Sequence, residues 1–280
     1  VDEAGSQRGR PTAWRPAVPG IAEVFHAHFV DHIYPVHTHS AWTLLIVDDG
    51  AIRFDLDRQQ HGTAGSMVTV LPPDVPHDGR SATAHGFRKR VLYLEPSVLG
   101  SGLVGAAVDS PGFDDAVLWH RIHQLHVSLS HPGDAFEAES RLAFIRERLR
   151  RHLRHLAPAA TRRYAPAPQR LAGQLRDLLD ARTTTGLTLA DAAEHLHAHP
   201  AHLVRSFTMS FGLPPHLYLT GRRIDIARRL LLAGQRPSEV ALAAGFYDQS
   251  HFTRHFRRYV GTTPARFASG RDSAQIHTRP

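Results

Sequence analysis

The sequence predicts an α+β chain of two domains: a β-barrel or sandwich followed by helices, then an all-α domain built from one motif used twice. Three observations carry this. From Ile21 to Leu94 short apolar runs are broken by turn residues, at the spacing of a jelly-roll-type barrel. Beyond Glu95 apolar residues recur at three and four positions, the period of a helix. Within Leu187–Phe267 one pattern occurs twice, 49 positions apart. A chain of 280 residues suits two domains of ordinary size.

Residues 1–20, with Arg8, Arg10, Pro11, Pro16 and Pro19, are expected as a flexible arm. Residues 21–94 form the barrel. Trp42–Val47 and Ala51–Leu56 read as strands, with Asp48-Asp49-Gly50 as the hairpin turn between them. Met67–Leu71 follows, ended by Pro72-Pro73-Asp74, and Val91–Leu94 closes the series. Residues 95–156 are helical, with Phe113–Leu129 and Ala135–Leu156 as the main segments. In the latter Leu142, Ile145, Leu149, Leu153 and Leu156 fall on one face. That face either packs on the chain's own barrel or pairs with a second copy, two-fold pairing being the commonest homo-oligomer. Pro158, Pro166 and Pro168 interrupt residues 157–169, the expected linker. Residues 170–270 form the second domain, opening with a helix over Arg170–Ala181, and 271–280 are a tail.

Composition narrows the function classes. There is no cysteine, which excludes disulfides and thiolate metal sites. No run reaches 18 apolar residues and the first residues hold no apolar signal core, so a soluble cytoplasmic protein is expected, with no membrane partner. From Ala157 onward 17 Arg stand against 8 acidic residues, whereas residues 1–156 carry 16 basic and 18 acidic groups. The basic half suits phosphate, an anionic surface or an acidic protein.

The repeat defines which. His202-Leu203-x-Arg205-x-Phe207 becomes His251-Phe252-x-Arg254-x-Phe256; Gly212 and Pro215 become Gly261 and Pro264. Asp191 and Glu239 are only 48 apart, so the copies slip by one residue near His197 and Gly245. Each copy reads as short helix, turn, longer helix, at about 188–210 and 237–259. Thr188 and Ser238 are the expected N-caps of the short helices, and Asp248 or Gln249 opens the last long one. This is the layout of a helix-turn-helix, whose second helix can enter the major groove. Leu203, Phe207, Phe252 and Phe256 face a core. His199, Ala201, His202, Val204 and Arg205 face outward in the first copy; Gln249, Ser250, His251, Thr253 and Arg254 do so in the second. Arg can read guanine, Gln adenine, and apolar groups the thymine methyl. Arg222, Arg223, Arg228, Arg229, Arg257 and Arg258 are candidates for phosphates. A helix over Pro215–Ala233 would set the distance between the two readers.

Val240-Ala241-x-x-Ala244-Gly245-Phe246-x-Asp248-Gln249-Ser250-His251-Phe252-x-Arg254-x-Phe256-Arg257-Arg258, with Gly261-x-x-Pro264-x-x-Phe267, closely resembles the second helix-turn-helix of AraC/XylS-type transcriptional regulators. The first unit departs from it at His197, where the family has Gly. His37-x-His39, Thr43 and Gly50 fit the first motif of a cupin, with Thr in place of its metal-binding Glu, and Pro72-Pro73-x-x-Pro76-His77 resembles the second. The resemblance implies a cupin-like sensor barrel, double-stranded DNA and a small-molecule effector as partners, and RNA polymerase and a second copy of the chain as further candidates. Three imidazoles could suit zinc, nickel or iron, but with the carboxylate missing, no metal, no other cofactor and no enzyme activity are expected. The alternative is a metal-dependent cupin enzyme with a DNA-binding appendage. His37, His39, Trp42, His77, Arg88 and Arg90 are the expected effector contacts, at the mouth of the barrel. Arg88 and Arg90 share one face of a strand, and either hold an anion or meet solvent.

Overall fold

A computed structural model of the chain describes residues 11–156 and 170–276. The expected linker lies outside them, as do residues 1–10 and 277–280. The first domain holds β1 (Thr12–Trp14), β2 (Ile21–Phe29), β3 (Tyr34–His37), β4 (Trp42–Leu56), β5 (Gln59–Ala64), β6 (Met67–Leu71), β7 (His77–Ser81) and β8 (Phe87–Leu94). There follow α1 (Pro96–Leu99), α2 (Val104–Asp109), β9 (Gly112–Asp114), α3 (Ala116–Ser128) and α4 (Ala135–Leu156). All pairings are antiparallel. One sheet runs β1-β2-β8-β4-β6-β9; the other joins β3, β7, β4 and β5.

β4 belongs to both sheets, and this corrects the expected hairpin at Asp48-Asp49-Gly50. The chain does not reverse there. Its register against β8 shifts between Val47 and Asp49, and Gly50 has φ 75°. A bulge with a left-handed glycine bends a strand without ending it. A Cβ on Gly50 would stand 2.1 Å from the Gly86 carbonyl oxygen, so no other residue fits. The true two-residue turn is Asp57-Arg58, φ 46° and 68°, joining Leu56 to Gln59. Two positive φ values are the type I′ geometry that suits strand twist. The polar strand β5 has no apolar alternation and was invisible to a hydrophobic pattern.

The arm also needs correction. Thr12 and Trp14 pair with His26 and Val24 of β2. Ala13 and Trp14 are buried, and the Trp14 indole N–H donates to the Leu129 carbonyl at 3.2 Å. Phe113 belongs to β9, opposite Val68, rather than to a helix. Asp115 accepts from the Leu118 N–H at 2.9 Å and so caps α3 two residues later. Leu142, Ile145, Leu149 and Leu153 of α4 are buried with Leu44, Ile46 and Leu92 of the first sheet, so this face packs on its own barrel. Phe136 and Phe144 of the same helix are 82% and 63% exposed.

The second domain consists of α5 (Arg170–Ala181), α6 (Leu189–His195), α7 (Pro200–Phe211), α8 (Pro215–Leu232), α9 (Pro237–Ala243), α10 (Gln249–Val260) and α11 (Pro264–Ile276). The last helix crosses the boundary expected at 271. The repeat is kept in three dimensions. Gly212 and Gly261 cap α7 and α10 at φ 73° and 83°, and Pro215 and Pro264 open the helices that follow. At the slip, His197 takes φ 47° where Gly245 takes 84°. Thr188 and Asp191 form a capping box on α6. The Ser238 cap is not made: α9 starts two residues earlier than that cap requires, with Arg236 at the cap position, Pro237 in its first turn and no side-chain cap bond.

The two domains share one core. Phe25, Phe29, Phe87 and Val91 of the barrel cluster with Ile224, Ala227, Phe252, Phe256 and Phe267. Both glycine caps lie against the barrel: a Cβ at Gly212 would stand 3.1 Å from Pro76, and one at Gly261 2.6 Å from Phe29.

Candidate DNA-reading surface and sensor cavity

On α7 the expected core residues Leu203 and Phe207 are fully buried, as are Phe252 and Phe256 on α10. The heptad-like phase of each helix therefore turns the complementary set outward. His199, Ala201, His202 and Arg205 are exposed and Val204 is half-buried. His199 also closes its own helix, its Nδ1 accepting from the Ala201 N–H at 3.2 Å. On α10 Gln249, Ser250, Arg254, Arg257 and Arg258 are exposed, while His251 and Thr253 are half-buried. Asp248 holds the start of α10, accepting from the His251 N–H at 2.7 Å.

The arginines of α8 are mostly engaged elsewhere. Arg222 donates to Asp74 of the barrel at 2.6 Å and to the Tyr218 hydroxyl at 2.9 Å, and lies 3.3 Å from Asp180. Its assignment to DNA phosphate is corrected on that ground, because three partners hold it at the domain junction. Arg228 is buried and grips Glu23 of β2, with Nη2 to Oε1 at 2.5 Å and Nε to Oε2 at 3.1 Å; it also donates to the Tyr93 hydroxyl at 3.3 Å. Arg223 donates to the Thr183 carbonyl at 2.9 Å. Arg229 remains exposed.

Inside the barrel lies a cavity of about 50 Å³, lined by His37, His39, Thr43, His77, Lys89 and Tyr34. Arg228, Tyr259 and Val260 of the second domain complete its wall. At 10–15 Å³ for each water, it has room for roughly four water-sized groups. The imidazoles meet closely: His37 Nε2 and His39 Nε2 are 3.2 Å apart. Behind them, His37 Nδ1 lies 2.7 Å from the Pro35 carbonyl, His77 Nδ1 2.9 Å from that of Val75, and His39 Nδ1 3.3 Å from Asp225 Oδ1 on α8. Asp225 also accepts from the Ser40 N–H. Burial drives all three histidines toward the neutral form, His77 to about 4. Burial likewise raises the carboxyls of Glu23 and Asp225. Three inward imidazoles with open positions fit a divalent transition cation. Thr43, whose hydroxyl is buried without a hydrogen-bond partner among the described residues, stands where a carboxylate ligand would.

The other expected effector contacts lie elsewhere. Trp42 is fully buried in the cluster behind the first sheet, on the side facing the helices. Arg88 is exposed, and Arg90 pairs with Asp48 and meets His123 at 2.8 Å. The two arginines do share a face, and it is the outer one. Lys89, between them, faces in. Its ammonium lies 4.2 Å from the Tyr34 ring centre and has no carboxylate partner among the described residues. Burial, and then the charge of Arg228, lowers it to about 7. The alternation Phe87, Lys89, Val91, Tyr93 on β8 was the signal that could have found it.

Comparison with known proteins agrees with both halves. The family described as a helix-turn-helix domain matches residues 192–270, and that described as an AraC-like ligand binding domain matches residues 20–143. The chain is 25% identical over 225 residues to the uncharacterized HTH-type transcriptional regulator YbfI of Bacillus subtilis (strain 168), covering 78% of this chain and 81% of that one. It is 22% identical over 281 residues to the arabinose operon regulatory protein of Escherichia coli (strain K12), covering 91% and 93%. The fold is similar to that of ToxT from Vibrio cholerae O395, with a TM-score of 0.56, 12% identity, and 93% and 96% of the two chains covered. A structure of unsaturated fatty acid-bound ToxT from strain SCE256 aligns with a TM-score of 0.57, at 11% identity and 94% and 95% coverage. With a sensor barrel at one end, two helix-turn-helix units at the other, and relatives that are transcriptional regulators along most of its length, the chain belongs to the AraC-type family of ligand-responsive, DNA-binding regulators.

Proposed function

We propose that this regulator responds to a small anion, such as a short carboxylate, held in the barrel by Lys89 with His37, His39 and His77 beside it. The observation that carries this is the cavity wall, which comes from both domains. A ligand there meets Arg228 and Tyr259 directly, so its binding energy depends on how the second domain sits. That differential affinity is what couples a sensor to a reader. A cavity of about 50 Å³ limits the ligand to a few heavy atoms unless the second domain shifts outward. The hydroxyls of Tyr34 and Tyr259 are buried and lack partners among the described residues, and supply hydrogen bonds to the same ligand.

On the DNA side, His199, Ala201, His202, Val204 and Arg205 of α7 and Gln249, Ser250, His251, Thr253 and Arg254 of α10 read bases, with Arg257 and Arg258 on phosphates. Among the described residues no helix is long and apolar enough to cross a membrane. The reading implies work in the cytoplasm, where promoter DNA and RNA polymerase are, and pairing of two copies through the exposed Phe136 and Phe144 of α4. The test is fluorescence anisotropy of the full chain on the promoter adjoining its gene, titrated with short carboxylates. A shift in DNA affinity that Lys89→Met abolishes, with basal binding kept, is expected. An equal shift in both proteins refutes the role of Lys89.

A further inference from the structure

Lys89 is the only lysine in the chain: of its 33 lysine and arginine residues, 32 are arginine. That one lysine is half-buried on β8 and lines the barrel cavity. Its ammonium lies among three rings, 5.9, 4.2 and 5.8 Å from the centres of Phe25, Tyr34 and Phe87. Asp78, the only carboxylate lining the cavity among the described residues, accepts from the Asp55 N–H at 2.8 Å and stands 3.9 Å from Arg80 instead.

Holding an anion takes only a positive charge, and everywhere else the chain supplies that charge with arginine. Arginine cannot give up its proton and act as a nucleophile; a primary amine can. Burial, with the charge of Arg228, brings this amine to about 7, so near neutral pH a large share of it is free base.

We propose that Lys89 captures its effector covalently, as an imine with a small oxo acid, a carboxylate whose neighbouring carbon is an aldehyde or ketone. This deepens the reading of the barrel as an anion sensor and rests on it. The amine lone pair attacks the carbonyl carbon, a C–N bond forms, and the C=O pair moves to oxygen, which takes one proton from nitrogen. The carbinolamine then loses that hydroxyl together with the second N–H proton as water, leaving C=N. No oxidant or reductant is needed. The cavity has room for roughly four water-sized groups, and glyoxylate, once condensed, leaves two carbons and two oxygens on the lysine. Arg228, in the same wall, is the cation for its carboxylate. The hydroxyls of Tyr34 and Tyr259, buried without partners among the described residues, are donors for the departing oxygen. An oxo acid so held ties β8 of the barrel to α8 of the second domain.

Reductive trapping tests this. The folded full chain is incubated with glyoxylate and cyanoborohydride near neutral pH and digested with chymotrypsin, and the peptide that begins after Phe87 is weighed by mass spectrometry. One carboxymethyl group on Lys89 is expected, and none at that position in Lys89→Arg. Phenylglyoxylate, too large for the cavity, should label Lys89 only after unfolding in urea. The imine is overturned if Lys89 of the folded chain takes no glyoxylate while the urea-unfolded chain does, or if the folded chain takes both acids equally. Glycolate, the same skeleton with a hydroxyl for the aldehyde, separates the two readings in DNA-binding anisotropy, where glyoxylate should act at the lower concentration. Glycolate as potent as glyoxylate overturns covalent capture and leaves the anion reading standing. A trapped adduct with no shift in DNA affinity from either acid supports the covalent site and fails the regulatory reading.

Discussion

Arg228→Met is the most informative single perturbation of the domain junction. Arg228 and Glu23 are 6% and 8% exposed in their side chains and hold each other through two hydrogen bonds. Removing the guanidinium leaves a buried carboxylate with Asp225 as a like-charged neighbour. Breaking a buried pair on one side costs about 3–5 kcal/mol. The carboxylate can escape by taking up a proton, and at pH 7 that costs about 3.7 kcal/mol for a group with an ordinary value near 4.3. This sets the scale at roughly 3–4 kcal/mol, or about 6–16 °C in melting temperature for a chain of this size. Glu23→Gln combined with Arg228→Met removes both charges and should lie within about 1 kcal/mol of the wild type. Glu23 in the single variant has a raised value, so its folded state binds protons more readily than the unfolded one, and stability falls as pH rises. The deficit should therefore shrink as pH is lowered from 7 toward 5. Differential scanning calorimetry of the four proteins, at both pH values, measures all of this. A single-variant cost below about 1 kcal/mol, or a double variant as weak as the single, would refute a buried pair across the junction.

Arg254→Ala is expected to cost roughly 1–3 kcal/mol in DNA affinity and to relax one base position; a uniform loss over all sequences, read by anisotropy on a panel of duplexes, would make it a phosphate contact. Arg257→Ala should instead reduce the salt slope of binding by about 0.9. Lys89 is lowered to about 7, so between about pH 7 and 10 the unfolded chain binds more protons and stability rises with pH. The gain in stability of Lys89→Met over wild type should shrink by roughly 2 kcal/mol from pH 7 to pH 9 in urea titrations, and a constant gain would show Lys89 to be solvated. His197→Gly should stabilise the chain by a few tenths to about 1 kcal/mol, since His197 holds a left-handed φ of 47° that costs a side chain about 1–2 kcal/mol; a loss of stability would mean that the imidazole makes a compensating contact.

The helical half of the fold was legible because its signals are local. Ala135–Leu156 and Arg170–Ala181 were read to the residue from apolar spacing and flanking prolines. The equivalence of the two copies was legible from their spacing, and Gly212 with Gly261, and Pro215 with Pro264, do hold equivalent places in the structure. The barrel was legible in outline only. Asp-Gly was read as a reversal because the dipeptide is the same in a hairpin and in a bulge; what decides is the partner strand β8, far away in sequence. That Arg88 and Arg90 share a face was legible from strand parity, but which face was not; the buried neighbours Phe87, Val91 and Tyr93 put Lys89 on the inner side and the arginines on the outer one. Arg222 and Arg228 were legible as basic residues on a basic domain and no further. Their partners, Asp74 and Glu23, lie 148 and 205 positions away, and nothing local in a sequence records such a pairing.

Gly212 and Gly261 each end a helix, and each also lies against the barrel, at Pro76 and at Phe29. One atom's absence thus satisfies two independent requirements at each copy. In a chain where such helix-turn-helix units stand alone, Asn could replace either glycine, since a left-handed cap tolerates it. Here the same exchange would keep the helix ending and wedge the reader away from its sensor. Transplanting a free-standing reader onto this barrel would fail at these two positions first. The docking of sensor and reader is thus written into the reader's own repeat, at the two places where a hydrogen leaves room for Pro76 and Phe29.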